Sequence, residues 1–175
     1  EKLILVNSGN QKLNELPYNV DQNQIVNGMF MEGFLDPKWG AAWARWQTGA
    51  EIMGWAAASI RAPRFTCLEG VYTWDRKQGR NDQQRMRLVT ALALTHSDGY
   101  VLYGDYNDKP SEDHLHDWYP FWDRKVGRPT ADRKQWTSGA FSREFEKGTV
   151  VFNPPESGEV AVSFAAKRLS AATGK

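Results

Sequence analysis

At 175 residues, 41% of them hydrophobic and 25% charged, the chain has the size and composition of one ordinary folded domain, which argues against the disordered class. Its 22 Lys and Arg stand against 21 Asp and Glu, a net charge of +1, so charge gives no reason to expect nucleic acid or an anionic membrane as partner. No apolar stretch approaches the ~20 residues that span a bilayer.

The single cysteine, Cys67, excludes an intrachain disulfide, and inside "RFTCLEG" it reads as a small buried hydrophobe. The chain lacks an initiator Met and a signal peptide and enters its first apolar run at once, "EKLILV", so a mature or excised product with more chain upstream is expected. Eight Trp residues raise the prospect of sugar binding, since flat rings suit the C–H faces of sugars, although they suit a core equally.

In chain order, "LILVNSG" (residues 3–9) is a continuous apolar run closed by Asn, Ser and Gly, as a buried strand would be. After a polar connector comes a second run, "VNGMFMEGF". A helix is expected next, with Asp36 as N-cap and Pro37 in its first turn. Trp39, Trp43, Trp46, Ala50 and Met53 form its apolar stripe, and Gly49 and Gly54 weaken its interior. The third run is "RFTCLEG" (residues 64–70). Asn81 and Gln84 open a second helix, which "DG" at Asp98 and Gly99 stops; His96 near its end reads as a surface or capping histidine. The fourth run is "YVLYGD" (residues 100–105). Apolar strands alternating with helices predict a parallel sheet of βαβ units.

Residues 106–139 are polar, aromatic and irregular, with Pro110, Pro120 and Pro129. "GTVVFNPPESGEVAVSF" then predicts two short strands about an Asn-Pro-Pro turn, a hairpin. The organisation expected is a βα portion over 1–139 and a β-hairpin tail over 140–175.

Ligands in parallel α/β folds gather at the carboxyl ends of the strands. There the four runs place Asn7 and Ser8, Glu32, Glu69 and Asp105. Each acid alone is explained by a cap, a turn or solvent. Several converging on one rim would raise one another's pKa and form a site. Paired carboxylates are the equipment of glycoside hydrolysis, one protonating the leaving oxygen while the other attacks or activates water. Trp118, Tyr119 and Trp122 offer a sugar-stacking wall, or else plug the open end of the sheet. His114 and His116, with Asp113 and Asp117, need a further ligand and a supporting shell before they make a metal site, so no metal and no cofactor are expected. The basic stretch from Asp75 to Arg87 reads as a solvated loop and helix face, because acids and amides interrupt it. A G-x-S-x-G elbow, a G-x-G-x-x-G loop and a Walker loop are all missing, which disfavours serine nucleophiles and nucleotides.

"NGMFMEGF", "RMRLVTALALTHSDGYVLYGD" and "HDWYPFWDRKVGRPTADRKQW…FSREFEKGTVVFNPPESGEVAVSF", taken together, resemble the C-terminal half of hypothetical glycoside-hydrolase-like proteins of family 15. More distantly they resemble the endo-α-1,4-polygalactosaminidase-like barrels. The resemblance runs from about Asn27 onward. It implies the last four strands of a (β/α)8 barrel and hydrolysis of a polysaccharide or oligosaccharide in an extracellular or periplasmic setting. Glu32 would then be the acid/base or nucleophile, with Glu69 and Asp105 as second-rank rim acids. Asn7, Trp118, Tyr119 and Trp122 would bind substrate. A full barrel takes ~250 residues, so a half-barrel is expected to pair as a homodimer, to await an N-terminal half, or to be closed by its own aromatic loop and tail. Self-association ranks first. The alternative is a non-catalytic half-barrel that binds glycans or only self-associates.

Overall fold

Each of the four apolar runs is a strand: β1 (Leu5–Asn7), β2 (Gly28–Phe34), β3 (Cys67–Val71) and β4 (Tyr100–Gly104). The structure is a computed structural model that describes residues 2–7, 25–35, 45–71, 83–104 and 118–173. The strands pair in parallel in the order β1-β2-β3-β4, matching chain order. Sequential parallel strands with intervening helices form the arrangement of half a (β/α)8 barrel. The chain packs as two compact units, Glu1–Asp117 and Trp118–Lys175, and this sheet belongs to the first.

Helix α1 (Trp46–Ser59) packs on β2, and helix α2 (Gln83–His96) packs on β3, β4 and α1. The predicted start of the first helix, with Asp36, Pro37, Trp39 and Trp43, lies outside the described residues. The buried face of α1 runs through Gly49, Ile52, Met53 and Ala56, the i, i+3, i+4, i+7 spacing of one helical stripe. That face is rotated from the predicted one: Met53 belongs to both, but Trp46 and Ala50 are only half-buried. The reason lies at Gly49. A Cβ there would stand 2.3 Å from Cζ of Phe34, so the missing side chain lets the helix backbone lie against a fully buried ring. A residue expected to weaken the helix is therefore a packing device.

His96 corrects the surface half of its reading, while its contact with the Leu92 carbonyl at the helix end fits the capping half. It is buried at the C-terminus of α2, with its ring edge-to-face against Trp46 at 5.8 Å. Its Nδ1 lies 2.8 Å from Oγ1 of Thr95 and 3.3 Å from the carbonyl of Leu92. The last turn of α2 meets the first turn of α1 through this pair, which takes the imidazole off the surface.

At the amino end of β2 stands Asn27, with no exposed surface. Its Oδ1 accepts the Ile4 N–H (3.1 Å) and Arg61 Nη2 (2.8 Å). Its Nδ2 donates toward the carbonyls of Arg61, Ala62 and Pro63, at 3.4, 3.2 and 3.3 Å. One amide thus ties the approach to β1, the start of β2 and the link from α1 to β3. Buried polar groups are tolerated when satisfied in this way.

In the second unit, β5 (Lys134–Gln135), β6 (Phe141–Phe145) and β7 (Gly148–Phe152) form an antiparallel sheet in that order. The predicted hairpin is present, but one strand upstream of its expected place. It joins β6 to β7 through Glu146 and Lys147, and the Asn-Pro-Pro turn follows it. Phe141 and Phe152 face each other across the strands with ring centroids 6.3 Å apart. Trp136 Nε1 donates to Ser142 Oγ at 2.6 Å. The stretch 158–164, predicted as the hairpin's second strand, pairs with no strand among the described residues and ends in a partly exposed Phe164.

Candidate active site

Asn7 ends β1, Glu32 stands two residues before the end of β2, and Glu69, expected at a strand end, is the central residue of β3; the three strands are neighbours in one sheet. Side chains alternate between the faces of a strand, and residues in register share a face. Phe30 is in register with both Asn7 and Cys67, so Asn7, Glu32 and Glu69 belong to the face turned away from the helices. Gly70 lies on the other face, where an added Cβ would meet Val89 of α2.

A bulge interrupts the alternation beside Glu32. Met31 pairs with Leu68 and Phe34 with Gly70, so β2 spends three steps where β3 spends two. The extra residue carries the chain through a left-handed conformation: Gly33 has φ 65° and, two positions on, Leu35 has φ 67°. Glycine takes such a φ without a Cβ clash, whereas leucine does so at a cost of about 1–3 kcal/mol and must be held there. The bulge also reverses the parity of the residues beyond it. Phe34 turns to the helix side, against Gly49, while Glu32 stays on the opposite face.

Hydrogen bonds from three described elements converge on this segment. Asn7 Nδ2 donates to Glu32 Oε2 at 2.6 Å, fixing the plane of a half-buried carboxyl group from the adjacent strand. The backbone N–H of Gly33 donates to Glu69 Oε2 at 2.9 Å, and Glu69 has no exposed surface. Arg85 in the first turn of α2 donates through Nη2 to the carbonyl of Leu35. Cys67, two residues before Glu69, is buried as expected; burial, and secondarily the charge of Glu69, push its thiol up to about 11. A thiol so placed is no nucleophile.

The other predicted site residues fall elsewhere. Asp105 follows the last residue of β4 and lies outside the described residues, as do Ser8, Asp113, His114, His116 and Asp117. Trp118, Tyr119 and Trp122 form a cluster of their own in the second unit. Trp122 meets Trp118 at 5.6 Å and Tyr119 at 5.1 Å, both edge-to-face. Trp118 is 69% exposed, with Nε1 donating to Asp123 Oδ1 at 2.8 Å, and Tyr119 is buried. Among the described residues, no group of three or more His, Cys, Asp or Glu is placed to hold a metal ion. No described helix is long and apolar enough to cross a membrane.

Sequence reasoning overlooked Gly33 and Arg85. For Gly33 a signal existed, since an isolated glycine within a strand pattern marks a bulge. Arg85 carried none, because its partner is a backbone carbonyl 50 positions away.

The family model described as hypothetical glycosyl hydrolase family 15 matches residues 1–149. No curated protein gives a significant match to the chain.

Proposed function

The chain belongs to hypothetical glycosyl hydrolase family 15, and from that premise we propose that it hydrolyses glycosidic bonds in a polysaccharide or oligosaccharide, with Glu32 as the acid/base or nucleophile. One observation carries this reading. Glu32 sits beside a bulge near the carboxyl end of a parallel strand, held by Asn7 from the next strand at 2.6 Å. Loops at such strand ends are where barrel folds assemble their sites, and bulges there re-aim side chains. A carboxyl group held in one plane but still half-exposed is equipped to protonate a glycosidic oxygen or attack an anomeric carbon. Asn7 orients it. Glu69 and Asp105 are the two candidates for the other carboxyl group that the reaction needs, and the burial of Glu69 sets it apart. The exposed face of Trp118, backed by Trp122, provides the second unit with a surface on which sugar rings stack.

Glu32→Gln tests the assignment. It keeps the acceptor for Asn7 and removes the acid, so turnover should fall by about 10²–10⁴-fold with the melting temperature unchanged. Undiminished turnover would remove Glu32 from the chemistry.

A second reading draws on the sheet's outer strands. Leu5 on β1 is 44% exposed and Tyr100 on β4 is 65% exposed, and Leu3 and Ile4 ahead of β1 are exposed too. Edge strands with apolar surface invite pairing. On this reading the half-barrel binds glycans without cleaving them, and a second copy or a further half covers its edges. Titration calorimetry against oligosaccharides, with turnover assayed in parallel, separates the two readings. Heat without turnover favours binding. Sedimentation equilibrium then reports whether two copies associate.

A further inference from the structure

We infer that Glu69 is a positioning residue for Glu32 rather than the second reacting carboxyl group, and that Arg85 assists it by holding the other side of the same bulge. This rests on the reading of Glu32 as the reacting acid and deepens it.

The geometry separates the two acids. Glu32 is half-exposed, whereas Glu69 has no exposed surface and faces a backbone N–H at 2.9 Å. That N–H belongs to Gly33, so it lies in the peptide that directly follows Glu32. Pinning this peptide sets the direction in which the Glu32 Cα–Cβ bond leaves the strand. On the far side of the bulge, Leu35 holds φ 67°, and the Arg85 guanidinium grips its carbonyl. Strained backbone of this kind persists only where its surroundings over-determine it. Glu69 and Arg85 supply that from two different elements, β3 and α2. Asn7 fixes the carboxyl plane of Glu32; Glu69 and Arg85 fix the backbone that carries it. The same hold keeps Phe34 on the helix side against Gly49, so site and core depend on one local geometry.

A positioning role and a chemical role predict different behaviour for Glu69→Gln, which loses the acid but keeps an acceptor oxygen for Gly33. The Gly33 amide is followed by hydrogen exchange in NMR spectra of wild type, Glu69→Gln and Glu69→Ala, with the amides of β6 and β7 as the internal control. In Glu69→Ala, Gly33 should exchange about tenfold faster or more, and in Glu69→Gln it should stay within about threefold of wild type. Unchanged exchange in Glu69→Ala overturns the inference. Turnover of oligosaccharides should follow the same order, with Gln within about tenfold of wild type and Ala down about 100-fold or more. Gln as inactive as Ala, with Gly33 still protected, would make Glu69 a reacting group and also overturn the inference. Should Glu69→Ala fail to fold, Glu69→Gln alone decides on the same two measurements. Arg85→Met should lower turnover in the same direction, and Arg85→Lys should restore part of it. If wild type cleaves no sugar, the reading of Glu32 falls by itself, and Gly33 exchange still judges the role of Glu69.

Discussion

The two ends of β2 make opposite uses of a polar side chain. At the amino end, Asn27 is wholly buried and exchanges hydrogen bonds with Ile4, Arg61, Ala62 and Pro63. Near the carboxyl end, Glu32 is half-exposed and steadied by Asn7, on a bulge that disturbs the ladder. Both residues are polar groups in an apolar run. The difference is that the amide of Asn27 is spent on its own backbone surroundings, while the carboxyl group of Glu32 is oriented and left at the surface. Burial of a polar group therefore does not identify a reactive centre; orientation combined with exposure does.

The sharpest way to break this contrast is to remove the amide. Asn27→Leu keeps side-chain volume but withdraws the acceptor from Ile4 and Arg61 and the donors from three carbonyls. It should cost about 3–5 kcal/mol, read from urea unfolding. An unaltered midpoint would mean that this end is no clasp. Midway between the ends, Cys67 in register with Phe30 supplies a pH test. Its folded pKa, about 11, lies above the ordinary 9.0, so its contribution is fully present below pH 9 and is lost as pH rises through 11. Between those limits, wild type should lose roughly 2–3 kcal/mol relative to Cys67→Ala. Parallel unfolding curves for the two proteins across that window would refute the assignment. Beyond the bulge, Gly49→Ala would drive a methyl group into the Phe34 ring and should cost about 1–3 kcal/mol. Gly54 on the same helix has open space around its Cβ position, so Gly54→Ala should stabilise by about 0.5–1 kcal/mol. Melting curves of this pair measure how far the demand for a bare backbone is local to Phe34.

Much of the sheet was legible because its strands are apolar runs with polar ends, and length alone told them from helices. Leu3–Gly9 contained β1, and "VNGMFMEGF" contained β2 complete. The placement of Asn7 at the end of β1 and of Glu32 near the end of β2 came from the same pattern, whereas Glu69, expected at a strand end, is the middle residue of β3. What the pattern could not convey was register. The bulge at Glu32 and Gly33 is defined against β3, 36 positions away, and the Arg85 contact with Leu35 spans 50. The face of α1 was misjudged because Trp residues dominate an apolar stripe by eye, whereas Gly49 dominates it in packing. The hairpin slipped because Glu146 and Lys147 lack the Asn-Gly or Asp-Gly signature, while Asn-Pro-Pro advertises a turn. His96 went inside because its ring found Trp46, a partner on another helix.

The extra residue between Met31 and Phe34 has a consequence for variation by insertion and deletion. A point substitution near Glu32 alters one side chain. Loss of Gly33 would remove the bulge and restore plain alternation against β3, with Glu32 alone between Met31 and Phe34. Phe34 would stay on the helix side against Gly49, because Met31 and Phe34 would then be two steps apart like Leu68 and Gly70, but the Glu69 carboxyl group would lose the peptide it now accepts from. In this segment, therefore, spacing is a stricter inheritance than identity, and an alignment gap here would signal a different site more surely than a changed acid would.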